Sequence, residues 1–354
     1  MVIYLNITKY MNDFCYYIDR SKYMVGGRGN MKQKVVSYKR LPIEVEQYLQ
    51  EFCNLVTFDK VTADNYKAFI EEIKDAVGLI GAELPIDDEL LEHAPLLKVS
   101  ATISVGYNNF DIPALTKRKI LATNTPGVLN DTTADAMFGI ILATARRFTE
   151  LDAFVKSGQW TASVGRRQFG FDVHHKTLGI IGLGGIGMAI AKRAHLGFDM
   201  NILYHNRSRN KEAEKLYAAT YCSLEDLLKQ SDFVCLMTPL TSETEKLIGE
   251  KEFKLMKNTA FFINGSRGKT VDEEALIAAL QNKEIAGAGL DVFEEEPTPK
   301  DNPLLKMNNV VTLPHIGSAT LQTRTDMCMF AAENIVAALK GERPPGLINV
   351  DIWS

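Results

Sequence analysis

From Met31 onward, short apolar runs alternate with polar stretches of helical periodicity. That alternation predicts an α/β fold built on parallel sheets. In the first part of the chain, strands are expected at Val35–Tyr38, Ala76–Gly81, Leu97–Ile103 and Ile120–Thr123. In the second part they are expected at Thr177–Gly182, Asn201–His205, Phe233–Met237, Ala260–Asn264, Gly287–Val292 and Val310–Leu313. These later runs are apolar on both alternating faces, as strands covered by helices on both sides must be. Six of them suit a doubly wound, dinucleotide-binding sheet. Between the two sets, the stretch after Asn130 crowds apolar residues onto almost every helical face. It predicts a helix buried between domains. A last helical pattern, Thr323–Lys340, lies beyond the second set, and Pro344-Pro345-Gly346 cannot prolong it.

A chain of 354 residues exceeds one ordinary core, so two domains are expected. The net charge of −4, without a long basic run, argues against nucleic acid or an anionic membrane surface as partner. No stretch reaches the ~18 apolar residues of a membrane span. Five cysteines (Cys15, Cys53, Cys222, Cys235, Cys328) form no CxxC pair, and their number is odd. Neither a disulfide framework nor a metal site is expected, and a cytoplasmic location fits. Residues 1–30 have no continuous apolar core and close in Gly26-Gly27-Arg28-Gly29-Asn30. They read as a flexible extension rather than a secretory signal. Their deletion is expected to leave activity and melting temperature intact.

The first chemical signal is Gly182-Leu-Gly184-Gly185-Ile186-Gly187, placed between an apolar strand and the helical pattern Met188–Leu196. Gly182 permits a tight turn, Gly184 lets the backbone approach a pyrophosphate, and Gly187 lets helix and strand pack closely. The helix N-terminus offers free N–H groups to the phosphates. An NAD site ordinarily carries an acid at the end of the next strand, for the ribose hydroxyls. Here that strand runs into Asn206-Arg207-Ser208-Arg209. A guanidinium binds a 2′-phosphate by charge-assisted hydrogen bonds, so NADP(H) is predicted over NAD(H), with NAD(H) still usable.

Three further segments gather reactive groups at strand ends. They are Asn264-Gly265-Ser266-Arg267-Gly268, Gly289-Leu-Asp291-Val-Phe-Glu-Glu-Glu296-Pro297, and Pro314-His315-Ile-Gly317-Ser318. Open α/β sheets bind ligands at the carboxyl ends of strands. Arg267 can grip a carboxylate bidentately and polarise a neighbouring carbonyl. His315 can supply the proton that a carbonyl oxygen needs as hydride arrives. Glu296 would favour the protonated imidazole and orient it. His174 and His175 lie outside this spacing and read as structural.

These motifs, with Ser104-Val-Gly-Tyr-Asn-Asn-Phe-Asp and Thr133-Ala-Asp, resemble those of the D-isomer-specific 2-hydroxyacid dehydrogenase family over about Lys34 to Val350. Within it, Asp172-Val-His-His-Lys-Thr-Leu-Gly and Tyr204-His-Asn-Arg are most similar to the bacterial glyoxylate/hydroxypyruvate reductase and 2-ketogluconate reductase branch. The resemblance implies an enzyme that reduces small 2-keto acids by hydride transfer, with Arg267, Glu296 and His315 catalytic. It implies that the Val105 and Gly106 N–H groups meet the substrate carboxylate, that Asp291 faces the nicotinamide carboxamide, and that Thr133 contacts the cofactor. Thr238, Pro239, Gly265, Ser266, Gly317 and Ser318 are further cofactor candidates, and Leu84 beside Glu83 is a candidate for setting pocket volume. The implied fold is a discontinuous, flavodoxin-like substrate domain (31–129 and 317–354) with a Rossmann domain (130–316) inserted. A homodimer is implied, with the helix after Asn130 and its following loop, including Trp160, at the interface. Two positions depart from the common pattern: Ser266 stands where Ala or Gly is frequent, and Asn108 where Asp is common. Three other readings compete. A formate dehydrogenase relative would carry Gln at Glu296. A phosphoglycerate dehydrogenase-like enzyme would carry the missing ribose acid. A dinucleotide-sensing corepressor of the same fold would lack turnover.

Overall fold

The computed structural model describes residues 32–353; the expectations for residues 1–30 fall outside the described residues. From Gln33 onward the chain forms one unit that contains two parallel sheets. The first comprises β1 (Lys34–Ser37), β2 (Asn54–Thr57), β3 (Gly78–Gly81), β4 (Val99–Thr102) and β5 (Leu121–Thr123), ordered β2-β1-β3-β4-β5. That is the flavodoxin-like order. The second comprises β6 (Thr177–Ile181), β7 (Asn201–His205), β8 (Thr220–Tyr221), β9 (Phe233–Leu236), β10 (Phe261–Asn264), β11 (Gly287–Leu290) and β12 (Val310–Thr312). Its order is β12-β11-β10-β9-β6-β7-β8. The chain therefore leaves β6 in one direction to β7 and β8, and later in the other to β9. The carboxyl ends of β6 and β9 flank the point where strand order reverses, the crevice in which such sheets hold nucleotides.

All ten expected strands are present: the first is displaced by one residue to Lys34–Ser37, Asn201–His205 coincides, and the others are shortened by one or two residues at one or both ends. Two others escaped the pattern. β2 is an edge strand with only its two middle residues partly buried, and β8 spans two exposed residues. Neither has the apolar run by which central strands announce themselves. The helices also begin earlier than expected, at Asn130–Ala145, Gly185–Phe198 and Leu321–Leu339. In the second case Gly185 and Gly187 of the turn lie in the first helical turn, with Gly184 just before it.

The packing follows from period-two alternation. Val35, Val99 and Ala101 face a core layer shared with Ala331, Ala332 and Ile335 of the last helix. Val36, Leu79 and Ala122 face the opposite layer with Phe69, Ile73 and Leu115. Each fully buried Val, Leu, Ile or Phe contributes about 1.5–3 kcal/mol of transfer free energy, which is why the last helix returns to the first sheet. The tail after it is held as well: the Ile348 N–H donates to the Ala122 carbonyl at 2.8 Å, and Asn349 Oδ1 accepts from the Ala122 N–H at 2.9 Å. The helix Asn130–Ala145 owes its burial to the second sheet, packing on β10, β11 and β12 and on the helix Gly185–Phe198. Among the described residues no helix is long and apolar enough to cross a membrane.

Candidate active site

β10, β11 and β12 are neighbours in the second sheet, so the segments at their carboxyl ends are neighbours too. This brings Arg267, Glu296 and His315 together. His315 Nδ1 lies 2.8 Å from Glu296 Oε2, and the other Glu296 oxygen accepts from the Phe293 N–H at 3.0 Å. Burial alone would raise the Glu296 carboxyl. The hydrogen bonds from His315 and Phe293, with the nearby charges of His315 and Arg267, outweigh it and hold the group below the usual carboxylate range. Its negative charge thus stands beside the imidazole at neutral pH, and Nε2 is left as the ring nitrogen that can meet a substrate.

His315 itself has φ +54°, a left-handed conformation that non-glycine residues seldom adopt. What holds it is Asp291, only 2% exposed at the end of β11. Its two oxygens accept from the Ile316 N–H at 2.7 Å and the Gly317 N–H at 2.8 Å. Burial raises the Asp291 carboxyl even against these two bonds. The resemblance places this carboxylate toward a nicotinamide carboxamide; here both of its oxygens also carry the turn that displays His315. Thr133 closes the same spot, for a Cβ on Gly317 would lie 3.2 Å from Thr133 Cγ2 and 3.1 Å from Asp291 Oδ2.

Arg267 is pinned through its own backbone. Its carbonyl accepts from Thr270 Oγ1 at 2.6 Å and from Asn264 Nδ2 at 3.1 Å, and its Nη1 donates to the Ser266 carbonyl at 2.7 Å. Asn264 Oδ1 in turn accepts from the Ser266 N–H at 3.0 Å and hydroxyl at 2.9 Å. The Ser266 side chain is therefore turned inward, so any contact it makes with a cofactor comes from its backbone. Asn264 and Thr270 thus hold the candidate arginine and were not among the expected positions, because amides and hydroxyls near a strand end are ordinary in any sequence. Burial lowers the Arg267 guanidinium somewhat and Glu296 offsets part of that; it stays cationic, as arginines do.

The first sheet supplies the opposite wall. In the loop after β4, a Cβ on Gly106 would overlap the Arg267 guanidinium, with Asn108 Oδ1 3.6 Å away. Asn108 Nδ2 reaches the Leu240 carbonyl across the cleft at 2.9 Å. The Val105 carbonyl is turned back to Asn124 Nδ2 at 2.8 Å. Among the described residues, no group accepts from the Val105 or Gly106 N–H. Two open amides beside a buried guanidinium form an anion cradle. In the loop after β3 the Leu84 carbonyl accepts from Asn109 Nδ2 at 2.9 Å, and the preceding Glu83 has φ +72°.

The glycine turn follows β6. Gly182 has φ +96°, and a Cβ there would lie 2.8 Å from the Met237 carbonyl carbon and 2.9 Å from the Thr238 nitrogen. A Cβ on Gly187 would lie 2.6 Å from the Gly182 oxygen, whereas around Gly184 there is open space. Gly184 and Gly185 are exposed, and Ile186 packs against core layers of both sheets. The Thr238 hydroxyl is buried beside this turn without a hydrogen-bond partner among the described residues. Open space at Gly184, free amides at a helix start and an orphaned hydroxyl fit a nucleotide pyrophosphate. Asn206 braces the turn, accepting from the Leu183 N–H at 2.6 Å and donating to its carbonyl at 3.3 Å. Beyond it Arg207 and Ser208 are exposed, while Arg209 is engaged by Glu214. Pro239 is exposed at the other lip, and Gly265 and Ser318 are half-buried.

Residues 138–317 match the model of the D-isomer specific 2-hydroxyacid dehydrogenase NAD binding domain. The chain belongs to that family. It is 50% identical over 322 residues to glyoxylate/hydroxypyruvate reductase B of Escherichia fergusonii, covering 91% of this chain and 99% of the relative. The Escherichia coli protein of the same name is 51% identical over 319 residues, 90% of this chain and 98% of its own. Among solved structures, a Thermus thermophilus protein superposes with TM-score 0.83 at 39% identity, covering 89% of this chain and 100% of that one. The NADPH-dependent glyoxylate/hydroxypyruvate reductase of Sinorhizobium meliloti, crystallised with NADP and malonate, superposes with TM-score 0.79 at 30% identity, covering 90% and 97%. As a 2-hydroxyacid dehydrogenase this chain is an oxidoreductase with an NAD(P)-binding Rossmann domain. The glycine turn and the Arg267–Glu296–His315 cluster belong to one chain segment of that fold.

Proposed function

We propose that this dehydrogenase reduces glyoxylate, hydroxypyruvate and 2-keto-D-gluconate to (R)-2-hydroxy acids, with NADPH preferred to NADH. The observation that carries the reading is the convergence of the Arg267 guanidinium, the open Val105–Gly106 amides and the His315–Glu296 pair in one cleft. The amides and the guanidinium bind the substrate carboxylate, and Arg267 also polarises the keto oxygen. His315 Nε2 delivers a proton to that oxygen as it gains negative charge, and Glu296 stabilises the charge on the ring. Thr133, Asp291 and the glycine turn would hold a reduced nicotinamide nucleotide, which when bound would supply the hydride for the keto carbon, and Leu84 would border the space for the substrate's remaining carbons.

The choice of substrates is supported by the names of the two Escherichia relatives and by the resemblance noted above. The preference for NADPH is supported by Arg207 and Arg209 standing where an NAD site keeps its acid. In this reading residues 31–129 and 317–354 form the substrate domain and 130–316 the nucleotide domain. The protein works in the cytoplasm as a homodimer. Support for the dimer comes from Phe148, Val155, Trp160, Val164, Phe169 and Phe171, large apolar side chains exposed along one segment. The test is NADPH consumption across a panel of 2-keto acids, repeated with NADH and with His315→Ala. No turnover on any of them overturns the reading; equal rates for wild type and variant overturn the proton donor.

A further inference from the structure

The loop after β7 carries two arginines, and the fold treats them differently. Arg207 is exposed and takes part in no ion pair among the described residues. Arg209 is held bidentately by Glu214, Nε to Oε1 at 2.9 Å and Nη2 to Oε2 at 3.0 Å. Its guanidinium carbon lies 5.9 Å from the centre of the Tyr221 ring. Glu214 is fixed in turn: the hydroxyl of the buried Tyr204 donates to Oε1 at 2.7 Å and itself accepts from the Asn210 N–H at 2.8 Å. Tyr221 donates to the Asn206 carbonyl at 3.1 Å, so the whole assembly is tied to the residue that braces the glycine turn. The Arg209 hydrogen bond, with help from Tyr204, keeps the Glu214 carboxyl below its usual range, and the carboxylate remains charged at neutral pH.

We infer that Glu214 is a cofactor-specificity residue: it fixes Arg209 in place but cancels most of its charge, leaving Arg207 as the principal cation for the 2′-phosphate and moderating the preference for NADPH. A 2′-phosphate carries close to two negative charges. Next to an intact Arg209–Glu214 pair it meets a dipole rather than a full positive charge, and the carboxylate opposes it. The inference rests on the proposed NADPH reading but is tested separately from it.

The experiment is a double-mutant cycle on the purified apoprotein, with calorimetric binding of 2′,5′-ADP and 5′-AMP as probes. Glu214→Gln keeps an oxygen acceptor for Arg209 and Tyr204 while removing the charge. It is expected to tighten 2′,5′-ADP about two- to fivefold, the range of exposed charge interactions, and to leave 5′-AMP unchanged. The gain shrinks as salt is raised. Arg209→Gln exposes an uncompensated carboxylate to the phosphate and weakens 2′,5′-ADP about tenfold. The double variant replaces a neutral pair by neutral residues and returns close to wild type. The ratio of kcat/KM for NADPH over NADH follows the same order. A Glu214→Gln variant that binds 2′,5′-ADP no better than wild type, or a double variant as weak as Arg209→Gln, overturns the inference. Wild-type protein that fails to favour 2′,5′-ADP over 5′-AMP overturns the NADPH reading instead, whatever Glu214→Gln does.

Discussion

Gly106 and Arg267 come from different sheets, and the guanidinium of one fills the space that a side chain on the other would need. The anion cradle exists only because that position has no Cβ. In Gly106→Ala the methyl group displaces either the loop after β4 or the Arg267 fork, and a misplacement of about 1 Å costs on the order of 100-fold in rate. The expected outcome is a fall of that size in kcat/KM for the keto acid with little change in KM for NADPH. Steady-state kinetics with each reactant varied in turn checks it.

The His315–Glu296 pair predicts a loss of rate on neutralising the carboxylate. The Glu296 carboxyl is held below its usual range, so its charge persists beside the imidazole to lower pH than an ordinary glutamate's. Replacing Glu296 with Gln removes that charge and one acceptor for the ring, and kcat/KM for reduction at neutral pH falls about 10- to 100-fold. Steady-state kinetics checks it; an unchanged rate would show that His315 does not depend on Glu296.

Asp291 predicts an effect on stability as well as on rate. Its folded-state pKa is raised, so its ionisation opposes folding: that contribution to stability is full below the unfolded pKa and is lost as pH rises through the folded one. Asp291→Asn removes this pH dependence but sets an NH2 against one of the two N–H donors. Leaving such a donor unpaired costs about 1–3 kcal/mol. Thermal unfolding from pH 4 to 8 is expected to give a lower but flatter melting curve for the variant, with kcat reduced because the His315 turn is loosened.

Two glycines of the same turn separate folding from binding. Gly184 has extended backbone and open space around it, so Gly184→Ala leaves the melting temperature of the apoprotein within a degree or so. The methyl group stands where the pyrophosphate approaches, and NADPH affinity is lost. Gly182→Ala meets a positive φ and the Met237–Thr238 peptide, and destabilises the apoprotein itself by about 1–3 kcal/mol. Differential scanning fluorimetry with and without NADPH reads both.

The hydroxyl–amide clamp on Arg267 gives a graded series. Thr270→Val removes one donor to the Arg267 carbonyl, for a net loss of about 1 kcal/mol. The expected signature is a raised KM for the keto acid, with NADPH binding unaffected and Thr270→Ser restoring the wild-type value. Parallel loss of both substrates would show general destabilisation.

The chain's own pattern determined the class of fold, every central strand, the nucleotide turn and the identity of the Arg, Glu and His that meet in the cleft. Buried parallel strands must be apolar on both faces, and a pyrophosphate turn must be glycine-rich, so those requirements are written locally in residue order. Tertiary structure alone decided the rest. β2 and β8 are strands only because β1 and β7 offer them an edge. Gly106 abuts Arg267, Asp291 carries the His315 turn, Asn264 and Thr270 grip the Arg267 backbone, and Glu214 claims Arg209, all through contacts between residues distant in sequence or through rotamers chosen by packing. Periodicity records which side of an element is buried; it carries no record of which partner waits there, and hydrogen bonds and ion pairs depend on that partner to within a few tenths of an ångström.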